Sequence, residues 1–196
     1  NPYSASKSAA ENICIAYENT YKIPLMIVNV MNAFGERQHP EKFIPKCIQA
    51  VLKGEKVYIH SYPDKKTAGT RFYIHARNIA AAVVFLLKNG SIGEKYNITG
   101  ESEVSNLELA QFIAKTLRKE LKYEMVNHHA TRPGHDLRYG LSGEKMAKMG
   151  WVPPLGFEDS LRKCIEWTAI NSQWLSLKQW ADEPSSSDDV TTKSRL

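Results

Sequence analysis

The chain has 196 residues, enough for one domain with a core of its own, and its 42% apolar and 24% charged content is ordinary for a globular protein. Its longest apolar runs, Ala80 to Leu87 and Leu25 to Val28, are too short to cross a bilayer, so no membrane is expected as a partner. The net charge of +5 comes from basic residues scattered among acids, with no basic block or aromatic-interleaved stripe, which argues against nucleic acid and suits phosphate-bearing ligands.

Ser4 to Tyr21 reads as a helix, with Ala9, Ile13, Ala16 and Tyr17 at helical spacing. After Pro24, Leu25-Met26-Ile27-Val28-Asn29-Val30 is an apolar run of strand length, suited to a parallel sheet buried on both faces. Helix followed by buried strand is one step of a doubly wound α/β fold. Asn32 to Pro40 is predicted as a loop, Phe43 to Leu52 as a helix stopped at Gly54, and Val57 to His60 as a strand. A basic loop, Tyr62 to Gly69, leads to a strand at Arg71 to His75 and a helix at Ile79 to Leu87 that stops at Asn89-Gly90. Lys95 to Thr99 is a strand closed by Gly100. Asn106 opens a helix to about Leu121, followed by a strand at Tyr123 to Val126 and a loop at Arg132 to Asp136. Ser142 reads as the N-cap of a short helix, Gly143 to Met149. Phe157, Leu161, Cys164 and Ile165 mark a last core-facing helix. From Ala181 the composition predicts a disordered tail. Cys14, Cys47 and Cys164, odd in number and widely spaced, read as reduced cytoplasmic thiols and not as a disulfide framework or metal site.

Tyr3 and Lys7 are four residues apart at the start of the first helix and therefore share a face. A phenol is a poor base at neutral pH, and a neighbouring ammonium favours its ionised form, so such a pair is an acid/base device. On its own the spacing also occurs by chance on surface helices. Tyr3-Ser4-Ala5-Ser6-Lys7 resembles the catalytic motif of the short-chain dehydrogenase/reductase superfamily. Asn32-Ala33-Phe34-Gly35, with Pro40-Glu41-Lys42-Phe43-Ile44-Pro45, resembles the segment after the corresponding strand in nucleotide-sugar 4,6-dehydratases. Lys95-Tyr96-Asn97-Ile98-Thr99-Gly100, Arg132-Pro133-Gly134-His135-Asp136 and the Phe157 to Trp167 helix are similar to later segments of that family, in the same order.

The resemblance implies roles. Tyr3 and Lys7 would be catalytic and would contact NAD, and Ala33, standing where the family has Asn, would reach the cofactor through its backbone. Asn32, Lys42, Phe43, Asn106, Arg132 and His135 would bind a nucleoside-diphosphate sugar. Arg71 would meet its phosphates from a shifted register, and Tyr58 and His60 would border the base. Read without the family, Lys42 is a solvated lysine at a helix start, Arg132 a helix C-terminal cap and Asn106 an N-cap. His128-His129 lacks the companions of a metal site, so no metal is expected. His39, His60 and His75 read as structural or loop residues.

The fold expected is α/β: residues 1–34 as the remnant of an NAD-binding Rossmann domain, residues 35–180 mainly as a sugar-nucleotide lobe with elements returning to that sheet, and 181–196 as the tail. No Gly-x-Gly-x-x-Gly turn follows a strand, so the cofactor's pyrophosphate cradle is expected in a preceding half, and this chain alone is expected to be inactive. The activity implied is NAD-dependent conversion of a nucleoside-diphosphate hexose to its 4-keto-6-deoxy form. The alternatives are a 4-epimerase or decarboxylase of the same superfamily, or a non-catalytic binding or dimerising fragment. A homodimer through the first helix is expected.

Overall fold

The computed structural model describes residues 1–127 and 136–176, so Arg132, His135, His128-His129 and the segment from Ala181 lie outside the described residues. Helix α1 (Pro2–Tyr21) begins where the Asn1 side chain accepts the Ser4 N–H at 3.0 Å and ends at Lys22 in the left-handed conformation. Strands β1 (Ile27–Val30) and β2 (Asn32–Phe34) follow, then helix α2 (Phe43–Lys53) and strands β3 (Val57–Ser61) and β4 (Thr70–His75). Helix α3 (Ala76–Asn89) and strands β5 (Lys95–Ile98) and β6 (Glu103–Ser105) lead into α4 (Asn106–Thr116). The rest is β7 (Tyr123–Asn127), β8 (Arg138–Tyr139), α5 (Glu144–Lys148), α6 (Phe157–Ile170) and a 3-10 turn at Ser172–Leu175.

The fold is α/β, built mostly on parallel pairs. β1 lies beside β5, β3 beside β7, and β2 and β8 beside β4; among the strands of the described residues only β6 runs antiparallel, along the first half of β4. β4 is therefore the hub: its C-terminal half pairs with β2 and its N-terminal half with β6 and β8. Successive β4 residues point to opposite faces, and the two faces serve different cores. Tyr73 joins Phe34 and the buried sides of α2, α4, α6 and β3, while Ile74 joins Ala82, Leu86, Tyr96, Ile98 and Met146. Just after β5, Gly100 crosses β4 so closely that a Cβ there would lie 2.1 Å from the Tyr73 carbonyl oxygen. Only glycine fits that approach.

Four local expectations are corrected. Asn32 to Phe34, predicted as loop, is a short strand because β4 offers it a partner. β6 and β8 likewise exist through pairing with β4. Helix α4 stops at Thr116, short of Leu121, where Arg118 turns left-handed (φ 53) and the Lys119 N–H bonds the Ala114 carbonyl at 3.0 Å. The N-cap of α4 is Ser105 and not Asn106, since Ser105 and Glu108 form a reciprocal capping box; that of α5 is Gly143, although the Glu144 N–H still donates to Ser142 Oγ at 3.3 Å. Among the described residues no helix is long and apolar enough to cross a membrane.

Candidate active site

A cleft of about 560 Å³ opens where the first turn of α1, the end of β1 with β2, the start of α2, and β4 converge. That volume is within the range of small-ligand sites. Asn1, Tyr3 and Ser4 line one side and Lys42, Phe43 and Ile44 another; Arg71, Tyr73, Asp136 and Tyr139 close it from β4 and β8. The phenol of Tyr3 stands well out, its residue 71% exposed. Lys7 follows one helical turn along the same face of α1.

Of the residues singled out from sequence, the cleft brings together Tyr3, Asn32, Ala33, Lys42, Phe43 and Arg71. Tyr58 and His60 are on β3, opposite β7, and neither lines the cleft. Asn106 is buried in the first turn of α4, where its Oδ1 accepts the Tyr73 hydroxyl at 2.7 Å. It reaches the cleft only through Tyr73, which lines it. Arg132 and His135 lie outside the described residues.

Arg71 is tied to backbone on both sides. Its Nη1 donates to the Thr70 and Leu137 carbonyls at 2.6 and 2.5 Å, its Nη2 donates to the Asp136 carbonyl at 2.5 Å, and its guanidinium lies 6.0 Å from the Tyr139 ring centre. Burial lowers its affinity for the proton, partly opposed by neighbouring tyrosines and Asp136, yet a guanidinium remains charged. Only some of its five donors are used, so a phosphate can still be met. Lys42, at the N-cap position of α2, is exposed and makes no ion pair among the described residues. Burial pushes the Tyr73 phenol above its ordinary range, with Arg71 pulling the other way, so Tyr73 is a neutral hydrogen-bonding wall.

The loop behind the cleft is fixed by a second group. His75, buried, accepts the Arg77 N–H on Nδ1 and therefore carries its proton on Nε2, which faces Glu36 Oε2 at 3.2 Å. The Glu36 carboxyl is held below its usual range: burial alone would raise it, but a backbone N–H, His75 and Arg77 outweigh that. Burial pushes the Cys47 and Cys164 thiols up to about 12, so both stay protonated and neither is a nucleophile.

Sequence reading missed Tyr73, Tyr139 and Gln38 as lining residues. A signal existed for Tyr73: two positions from Arg71 on a strand, it must share that residue's face.

The chain is similar to the low-salt glycan biosynthesis protein Agl12 of Haloferax volcanii, 39% identical over 85% of this chain and 52% of that protein. It is also similar to dTDP-glucose 4,6-dehydratase 1 of Escherichia coli K12, 34% identical over 89% of this chain and 49% of that protein. The chain thus spans about half the length of these curated relatives. Among solved structures, dTDP-glucose 4,6-dehydratase from Bacillus anthracis, in complex with NAD, superposes with a TM-score of 0.78 at 33% identity, over 89% of this chain and 54% of that one. The sequence model of the NAD dependent epimerase/dehydratase family matches residues 1–99, from the Tyr3 helix through β5, and the chain belongs to that family.

Proposed function

We propose that the protein to which this chain belongs uses NAD to dehydrate a nucleoside-diphosphate hexose to its 4-keto-6-deoxy form. The observation that carries this reading is one cleft shared by the Tyr3 phenol, the Asn32 amide and the cations Lys42 and Arg71. Tyr3 takes the proton of the sugar's 4-hydroxyl. The Lys7 ammonium stabilises the phenolate that receives it and holds the cofactor's ribose. Lys42 and the remaining donors of Arg71 hold the diphosphate, and Phe43 packs on the nucleoside. Arg132 and His135 join the diphosphate grip, and Asn106 supports it through Tyr73.

The residues present fit the ribose–nicotinamide end of NAD. Ser4, Ala5 and Ser6 are small and exposed, and Ala33 is exposed with a side chain that ends at Cβ. Held there by Tyr3, Lys7 and the Ala33 backbone, NAD would supply a reversible hydride acceptor for the sugar's C4 and C6 positions. Water is eliminated across C5 and C6, taking the C5 proton and the C6 hydroxyl. Two copies pair through α1, which leaves Ile13, Tyr17 and Tyr21 exposed, in a cytoplasmic setting that keeps the three thiols free.

The test is incubation of this chain with NAD+ and a panel of nucleoside-diphosphate hexoses, followed by the absorbance of 4-keto-6-deoxy products in alkali. Sugar-nucleotide binding without turnover is expected from the chain alone, and turnover from a longer protein that carries it. If that longer protein inverts C4 and releases no water, the dehydratase reading fails in favour of epimerisation.

A further inference from the structure

The loop between β2 and α2 is held at three consecutive residues. Glu36 faces His75 and Arg77. Arg37 adopts the left-handed conformation (φ 65), which a non-glycine residue keeps only when its surroundings enforce it. Its guanidinium lies over both Trp167 and Trp174, 5.7 and 5.3 Å from their ring centres, so the C-terminal helix and turn fix it in place. Gln38 then reaches back, its Nε2 donating to the Ala33 carbonyl at 2.8 Å. A carbonyl only accepts, so this bond decides which end of the Gln38 amide is nitrogen.

The other end, Oε1, is buried and meets no donor among the described residues. Asn32 Oδ1, on the same cleft, is in the same condition. Buried acceptors of this kind are rare and call for a donor. Diphosphate oxygens have no proton to give, and they suit the guanidinium and ammonium of Arg71 and Lys42 instead. Hydroxyl groups of a hexose do carry donors. Resting on the nucleotide-sugar reading above, we propose that Gln38 is a specificity-determining residue, whose Oε1 accepts a hydrogen bond from one ring hydroxyl of the sugar. The Arg37 clamp positions it, linking the Trp167–Trp174 platform to the cleft.

Isothermal titration of the chain with thymidine diphosphate, thymidine-diphosphate glucose and the 2-, 3-, 4- and 6-deoxy sugar analogues tests this, using wild type, Gln38→Met and Asn32→Leu. Gln38→Met is expected to weaken the sugar nucleotide by about tenfold, the scale of one lost hydrogen bond, and to leave thymidine diphosphate unchanged. One deoxy analogue should lose a similar factor on wild type and nothing further on Gln38→Met. Equal loss for both ligands would overturn the proposal, making Gln38 a loop support alone. So would a deoxy penalty that persists in Gln38→Met and vanishes in Asn32→Leu. Should Gln38→Met not fold, equal affinity of wild type for every deoxy analogue overturns the proposal by itself; the acceptor would then be met by water in the small pocket that Gln38 shares with Arg37 and Trp174. Wild type that binds neither ligand defeats the nucleotide-sugar reading itself, a result distinct from all of these.

Discussion

Helices α1 and α2 flank the same cleft and are built in opposite ways. α2 has eleven residues, and Ile44, Cys47, Ile48 and Val51 are buried among α4, α6 and β3. α1 has twenty residues and none is buried. Its order comes from the Asn1 cap, Pro2 in the first turn and the Lys22 turn that ends it, and its ties to the rest of the fold run through Glu11 to Lys95 and Glu18 beside Gly93. The cleft thus joins a wall set by packing to a wall set by local helix signals, and the acid/base pair is on the second.

The strongest way to break that contrast is to truncate one apolar side chain on each helix. Ile48→Ala, at a fully buried position, is expected to cost about 2–5 kcal/mol in denaturant unfolding. Ile13→Ala, 57% exposed in a single copy, should change stability by less than about 0.5 kcal/mol when measured at a dilution where copies do not pair. Comparable losses would show that α1 is packed after all. Next in size is Tyr73→Phe, which leaves Asn106 Oδ1 buried without its donor and should cost about 1–3 kcal/mol. Because Asn106 touches the cleft only through Tyr73, Asn106→Ala in the same background should add much less than it costs in wild type. Additive losses would separate the two residues.

Acid sharpens the comparison on the packed side. Glu36 is held below its ordinary range, so the folded state binds its proton less readily than the unfolded chain. Its contribution is full above the ordinary glutamate range and is lost as pH falls through the lowered value. Melting temperature measured down to about pH 3 should therefore fall less steeply for Glu36→Gln than for wild type, with the curves diverging toward neutral pH. Parallel curves would mean that the contact between Glu36 and His75 does not favour the ionised carboxylate.

How much of this was legible follows from where each signal is stored. β1, β3, β4, β5 and β7 were readable because each carries apolar residues of its own, nearly continuous in β1 and alternating in burial along β3 and β5, and α2 and α6 because their buried residues recur at helical spacing. β2, β6 and β8, two or three residues long, carry no pattern of their own; their strand character belongs to β4. The N-cap of α4 was available in the text, since Ser105 and Glu108 have capping-box spacing, and the adjacent Asn106 drew the assignment instead. In the cleft, Tyr3, Asn32, Lys42 and Arg71 were legible as residue types in motifs. Gln38 was not, because its meaning depends on a side chain folding back onto Ala33, a distance no spacing encodes.

The smallest effect asks what holds α1 to the sheet. Glu11 and Lys95 form an ion pair between α1 and β5, with both side chains partly in water. Such a pair contributes roughly 0–1 kcal/mol and weakens as salt screens it. Lys95→Met should therefore lower stability by less than about 1 kcal/mol, with the difference shrinking between low salt and about 1 M. The cleft makes that small term matter. Tyr3 and Ser4 form one of its walls, and they are carried by a helix with no buried side chain to fix its angle. If the ion pair orients α1, hydrogen exchange in the helix should quicken in Lys95→Met while exchange in α2 stays unchanged. A global loss shared by both helices would mean that α1 is coupled to the packed core through its backbone contacts, and that the two walls move as one.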